Sequence, residues 1–167
     1  VLVRVHRSQA SAGSEKGNVI GDGPADSRRH MGYTTVGRVL TAGLGMEAFK
    51  PGDRVITFGP HSSHWVTGPE ADPDDPEHLQ RIEYDITDEQ ACFSRLGDVA
   101  LHCVRRGELQ IDETVAVFGQ GVVGQLITAF SRMSGAYPVI AVDLDDDRLT
   151  LAMKSGATHT VNASKED

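Results

Sequence analysis

Apolar and polar positions change period several times along this chain, and each change predicts an element. Val1–His6 alternates apolar with polar residues, the period-two pattern of a half-buried strand. Ser8–Gly23 is polar and glycine-rich and reads as a loop. Gly32–Ala42 is rich in β-formers, with Val36 and Val39 among polar neighbours. Lys50-Pro51-Gly52-Asp53 is a turn signal, and Arg54–Phe58 follows it as a strand. Short strands separated by glycine turns predict a small antiparallel barrel. Gly68–Asp75 is a Pro/Asp-rich loop to which the pattern assigns no function.

At Thr87 the period becomes helical. Gln90 stands three residues on and completes a capping box. Cys92, Leu96, Val99 and Cys103 recur on one face, and Arg105, Arg106 and Gly107 mark the end. This helix is expected to bridge the barrel to a second domain. Thr114–Phe118 is a short β-branched run suited to a strand buried on both faces. Gln125–Met133 carries Leu126, Ile127, Phe130 and Met133 at helical spacing, and Gly135 stops it. Val139–Val142 is a second buried strand ended by Asp143. A helix over Asp145–Ser155, Gly156 and a third strand at Thr158–Asn162 complete the pattern.

Between the first of these strands and its helix lies Gly119-Gln120-Gly121-Val122-Val123-Gly124, a G-x-G-x-x-G turn. Gly119 permits the tight exit from the strand, Gly121 lets backbone approach a pyrophosphate, and Gly124 lets helix and strand pack closely. The helix start offers unpaired N–H groups and the positive end of its dipole to phosphate oxygens. Asp143 ends the next strand 19 residues past Gly124, where a carboxylate can bind both ribose hydroxyls of the adenosine half. That carboxylate, with Asp145, Asp146 and Asp147 beside it, would repel a 2′-phosphate and favours NAD over NADP. Arg148 is the basic residue nearby. The acids also suit a solvated helix start.

Composition narrows the classes. The chain has 167 residues, 39% hydrophobic and 24% charged, with a formal net charge of −8. That balance argues against nucleic acid or an anionic membrane as partner. No apolar run approaches the roughly 18 residues of a membrane span. VLVRVHR carries no secretory pattern, so a cytoplasmic location is expected. The chain starts without Met inside a strand pattern, so upstream residues are expected. Cys92 and Cys103, on one predicted helix, would lie roughly 16 Å apart, against the ~7 Å a disulfide tolerates. They read as core thiols. No C-x-x-C or H-x-x-x-H occurs to write a local zinc site.

Taken together, VLVRV, GYTTVGRV, FKPGDRV and VAVFGQGVVG followed by AVD resemble the medium-chain dehydrogenase/reductase superfamily. This superfamily holds the zinc-type alcohol dehydrogenases and their quinone-reductase-like relatives. The resemblance implies an α/β chain: the first half of a Rossmann dinucleotide-binding fold preceded by a GroES-like β-barrel domain. Residues 1–86 would be part of the GroES-like catalytic domain, 87–107 the bridging helix, and 108–167 the partial Rossmann domain. The family's second mononucleotide half would then lie beyond this sequence. The implied reaction is hydride transfer between an NAD(P) nicotinamide and a small alcohol or carbonyl, with a homodimer in the full-length form.

The family's zinc ligands do not carry over. Its Cys-Gly-Thr-Asp motif falls on Ala12-Gly13-Ser14-Glu15, its Gly-His-Glu motif on Gly32-Tyr33-Thr34, and its helical glutamate on Arg95. Ala12, Tyr33 and Arg95 are not normal zinc ligands. The cysteine-rich structural-zinc lobe is also missing after the GDRV turn. The resemblance therefore implies a zinc-free member. Arg95 would bring a permanent cation to polarise a carbonyl, Tyr33 a phenol to pass a proton, and Ser14 the relay hydroxyl. Plainer roles stand beside these: an ion pair of Arg95 with Glu89 or Asp98, and packing for Tyr33. His61 and His64 have metal-like spacing but read as a loop or surface pair. An alternative keeps zinc, with His61, His64 or Glu15 recruited by a different register. His102 reads as a partly buried histidine, and His30 is assigned nothing. A third reading is an inactive fragment or nucleotide-binding interaction module.

Overall fold

The computed structural model describes residues 1–11, 13, 15–16, 31–68 and 79–165. The chain divides into two compact units, Val1–Ser94 and Arg95–Asp167.

The first unit is an antiparallel sheet of β1 (Leu2–Gln9), β2 (Thr34–Thr41), β3 (Arg54–Thr57), β4 (His64–Val66) and β5 (Leu79–Arg81), ordered β4-β1-β2-β3-β5. Strand β1 runs further than the alternation predicts, so Ser8 and Gln9 belong to the sheet and not to a loop. They pair with Thr35 and Thr34. The Pro51-Gly52 turn forms as predicted: Gly52 has φ 95° and the Asp53 amide returns to the Lys50 carbonyl at 3.0 Å. Val1, Val3, Val39 and Val55 pack on one another, joined by Phe49 and Leu79. A second cluster gathers Val36, Ile56, Ala91 and Cys92. Through it, helix α1 (Asp88–Cys92) is seated on the sheet. The capping box at its start is complete, with Thr87 Oγ1 accepting from the Gln90 amide and Gln90 Oε1 from the Thr87 amide.

The expected single bridging helix is broken at Phe93, which caps α1, and α2 runs over Ser94–Arg106. The buried stripe of α2 becomes Leu96, Ala100 and Val104, four residues apart. Cys103 and His102 turn outward, so Cys92 is buried while Cys103 and His102 are exposed.

The second unit holds a parallel sheet, β6-β7-β8, of Val115–Phe118, Val139–Asp143 and His159–Asn162. Helices α3 (Val122–Met133) and α4 (Asp146–Ser155) make the connections. Val139 and Ala141 on the central strand are fully buried. Ala141, Leu149, Ala152 and Ala157 form a cluster. The buried residues of α3 are small, Gly124, Thr128 and Ser131, because a glycine-rich turn brings this helix close. Met133 is 81% exposed. Among the described residues β6 is paired along one edge, and Phe118 at its end is 79% exposed. No helix among the described residues is long and apolar enough to cross a membrane.

Candidate functional site

The site is built where β6 turns into α3. Gly119 adopts φ 84° and donates its amide to the Val142 carbonyl at 2.8 Å, tying the turn to the end of β7. A Cβ at Gly124 would overlap the Gly119 carbonyl, so a hydrogen there is what lets helix and strand approach. Gly121 is the N-cap of α3, with φ −72°, and no side chain caps this helix start. A Cβ at Gly121 would meet nothing within 4 Å. Among the described residues, no side chain claims the backbone N–H groups of the first turn, Val122 and Val123.

Gln120 faces the opposite way. It is 2% exposed; its Nε2 donates to the Val117 carbonyl at 2.9 Å and its Oε1 accepts from Thr128 Oγ1 at 3.1 Å. Its side chain braces the turn from within and is not available to a ligand. The motif spacing carries no signal of that brace, since position two of the motif tolerates any residue.

Asp143 closes the site. Its Oδ2 accepts from the Gln120 amide at 2.5 Å, while Oδ1 accepts from the amides of Leu144 at 2.8 Å and Asp145 at 3.1 Å. The Gln120 amide does most to hold the carboxyl below the usual aspartate range; burial opposes this, and the Asp145 and Leu144 amides and Arg148 add to it. Arg148 Nη1 lies 3.8 Å from Oδ2. Asp145 is the N-cap of α4, accepting from the Asp147 and Arg148 amides. A shallow cavity runs along Asp143 to Arg148. The arrangement offers oriented amides for phosphate oxygens and, beside them, an anionic acceptor for hydroxyls.

A second polar cluster lies in the first unit. Ser8 Oγ is 2.8 Å from His61 Nδ1, and His61 Nε2 is 3.2 Å from Glu15 Oε2. Glu15 Oε1 accepts from the Ser11 amide at 2.8 Å. The His61 amide donates to the Met31 carbonyl at 2.7 Å. Gly32 lies so close to Gly59, Pro60 and His61 that a Cβ there would meet their backbone at 2.6 Å. His64 Nδ1 contacts Ser63 Oγ instead. Among the described residues no group of three or more His, Cys, Asp or Glu could hold a metal ion. Tyr33, half-buried, packs edge-on against Phe58 with ring centroids 5.8 Å apart. Arg95 is half-buried on α2, and Glu89 is engaged by Arg7 at 2.6 Å. Ser14 and Ala12 lie outside the described residues. Sequence reasoning missed Ser8 because it assigned that residue to a loop; its reading of His61 as part of a loop or surface pair holds, since His61 is exposed and lies outside the strands.

No family model matches the chain. L-threonine 3-dehydrogenase of Anaeromyxobacter sp. strain K is 32% identical over 161 residues, covering 82% of this chain and 46% of that protein. The alcohol dehydrogenase TADH from Thermus sp. ATN1 superposes with a TM-score of 0.81 at 23% identity, over 99% of this chain and 57% of that one. Escherichia coli quinone oxidoreductase complexed with NADPH gives a TM-score of 0.80 at 23% identity, over 99% of this chain and 51% of that one. The chain spans about half the length of the curated relatives it matches.

Proposed function

Because the chain belongs to the medium-chain dehydrogenase/reductase superfamily, with its GroES-like and Rossmann parts, we propose that it carries the adenosine-diphosphate site of an oxidoreductase. The reaction is hydride transfer between a nicotinamide cofactor and a small secondary alcohol or its carbonyl. One observation carries this reading: the Gly119–Gly124 turn and the Asp143 carboxylate are held against each other at the ends of two parallel strands.

The residues fit such a cofactor. Gly121 leaves room over the helix start, the amides of Val122 and Val123 would hold phosphate oxygens, and Asp143 would take ribose hydroxyls. A cofactor held there by its adenosine-diphosphate half would supply the hydride acceptor or donor through its nicotinamide. The carboxylates at 143 and 145–147 support NAD over NADP, although Arg148 offers one guanidinium beside them. Tyr33 is assigned a proton-passing phenol, Ser14 a relay hydroxyl, and Arg95 a cation that polarises the carbonyl or holds an anionic group. Catalysis without zinc is proposed because the family's ligand positions carry Ala12, Tyr33 and Arg95. Metal analysis of the full-length protein, purified under mild conditions and again after chelation, tests this: stoichiometric zinc whose removal abolishes turnover would overturn it.

The cofactor site is tested by Gly121→Asp. Nothing lies within 4 Å of the new Cβ, and an aspartate at an N-cap stabilises a helix. Melting temperature should hold or rise while NADH affinity falls about tenfold or more, as the new carboxylate takes the amides and repels phosphate. Equal NADH binding by the variant, read by calorimetry, would refute the site.

A further inference from the structure

We propose that one face of the first unit's sheet is a docking surface for a short acidic, partly apolar segment of another protein, a reading independent of the nucleotide site. The strand registers line up a row of basic side chains. His64 on β4 pairs with Arg4 on β1, Arg4 with Arg38 on β2, and Arg38 with Arg54 on β3. Register partners point to the same side of a sheet, so the four stand side by side across roughly 14 Å. Like charges directly opposite on neighbouring strands destabilise a sheet. This row sets Arg4 against Arg38 at its centre.

The chain itself neutralises one end of the row. Arg54 donates to Asp88 Oδ1 at 2.8 and 3.1 Å, and Arg7 reaches Glu89 at 2.6 Å. These two acids open α1, whose Ala91 and Cys92 pack on Val36 and Ile56. Val36 alternates with Arg38 and Ile56 with Arg54, so helix and row share a face. An acid pair followed by small apolar residues is therefore what this face already accepts. The cover stops short of the two central arginines. Arg4 and Arg38 are exposed, and among the described residues no carboxylate lies within ion-pair distance of either. Arg38 donates to the Gly52 carbonyl at 2.8 Å, which carries no charge. Two residues along their strands from Arg4 and His64, the register pair Leu2 and Val66 adds an apolar step, with Val66 69% exposed.

This pattern selects the partner. Nucleic acid and anionic membranes are extended polyanions and meet the field of a whole chain with net charge −8. A short acidic segment feels chiefly the cations within a Debye length, about 8–10 Å. Its carboxylates seat between the two guanidiniums and remove their repulsion. Its apolar residues cover Leu2 and Val66, which a phosphate chain would leave bare.

The test uses the full-length protein and a short fluorescein-labelled peptide of mixed Glu and Leu, read by fluorescence anisotropy at low and at physiological salt. Wild type should bind the peptide, more weakly as salt rises. Arg4→Glu and Arg38→Glu should each weaken binding about tenfold or more. Lys154→Glu, at an exposed cation of the second unit, should leave it within about twofold. Folding is read on the same variants. Either arginine substitution turns the central repulsion into an attraction, so melting temperature should rise by roughly 1–3 °C. Binding lost by a protein that has become more stable is not lost through unfolding. Wild type that ignores the peptide, Arg38→Glu within about threefold of wild type, or an equal loss in Lys154→Glu would each overturn the surface. A melting temperature that rises in neither arginine variant would overturn the cross-strand repulsion behind it. Single-stranded DNA or phosphatidylserine vesicles bound more tightly than the peptide through the same arginines would overturn the choice of partner.

Discussion

Replacing Asp143 with alanine tests how the glycine turn is held. Three amides lose an acceptor, but they are not equivalent. Leu144 and Asp145 are exposed, so water replaces the carboxylate there at little cost. Gln120 is 2% exposed, and its amide loses a charged partner. A hydrogen bond to a charged group is worth about 1.5–3 kcal/mol, so the expected local loss is about 2 kcal/mol. That corresponds to roughly 30-fold faster amide exchange at Gln120. Asparagine should give little rescue, since one carbonyl oxygen faces three donors. The amide holding this carboxyl below the usual aspartate range also sets the pH arm. A depressed folded value means the contribution is present above the ordinary aspartate pKa and is lost as the pH falls through the folded one. The difference between wild type and Asp143→Ala should therefore close in acid below about pH 4. The assay is hydrogen exchange by NMR on the whole chain. Exchange at Gln120 within threefold of wild type at pH 7 would refute the reasoning.

Three further outcomes are expected. Gly124→Ala, whose Cβ overlaps the Gly119 carbonyl, should cost about 1–3 kcal/mol by overpacking, visible in urea titration followed by circular dichroism; an unchanged midpoint would contradict the close approach. Iodoacetamide at pH 8 should alkylate exposed Cys103 and spare Cys92, whose thiol is pushed up to about 11 chiefly by burial; mass spectrometry locates the label, and equal labelling would count against the buried assignment. Burial raises the Asp88 carboxyl, but bonds from Arg54 and His6 outweigh it and hold it below its ordinary value. Arg54→Ala breaks two contacts to Asp88 and one to the Ile86 carbonyl, so it should destabilise the first unit by about 1–3 kcal/mol at pH 7. Trp65 fluorescence in urea should show that loss shrinking as the pH falls through the depressed Asp88 value, and a pH-independent loss would rule out the ion pair as its cause.

Local signals located most of the architecture. The Gly119–Gly124 turn, the Thr87 capping box and the Pro51-Gly52 turn each follow from short-range geometry, and each lies where the residue types require it. The break at Phe93 was not legible, because Cys92, Leu96, Val99 and Cys103 fit one uninterrupted helix equally well. Packing of α1 on the sheet, which involves residues far away in sequence, decides it. The reach of β1 was hidden for a similar reason: Ser8 and Gln9 have polar side chains, and their strand membership comes from pairing with Thr35 and Thr34. At the candidate nucleotide site the acid and the glycines were readable, but the inward turn of Gln120 depends on Thr128, eight residues further along the chain. The His61–Glu15 contact joins residues 46 apart and leaves no periodic trace.

The outer edge of β6 has a practical consequence. A strand whose amides and carbonyls face outward along one side, with a phenylalanine at its tip, is a template for any extended segment that drifts past. Handled by itself at high concentration, this polypeptide should stick to its own kind through that rim. Dilution, or a lysine placed on the outward face of the strand, is the natural remedy during purification.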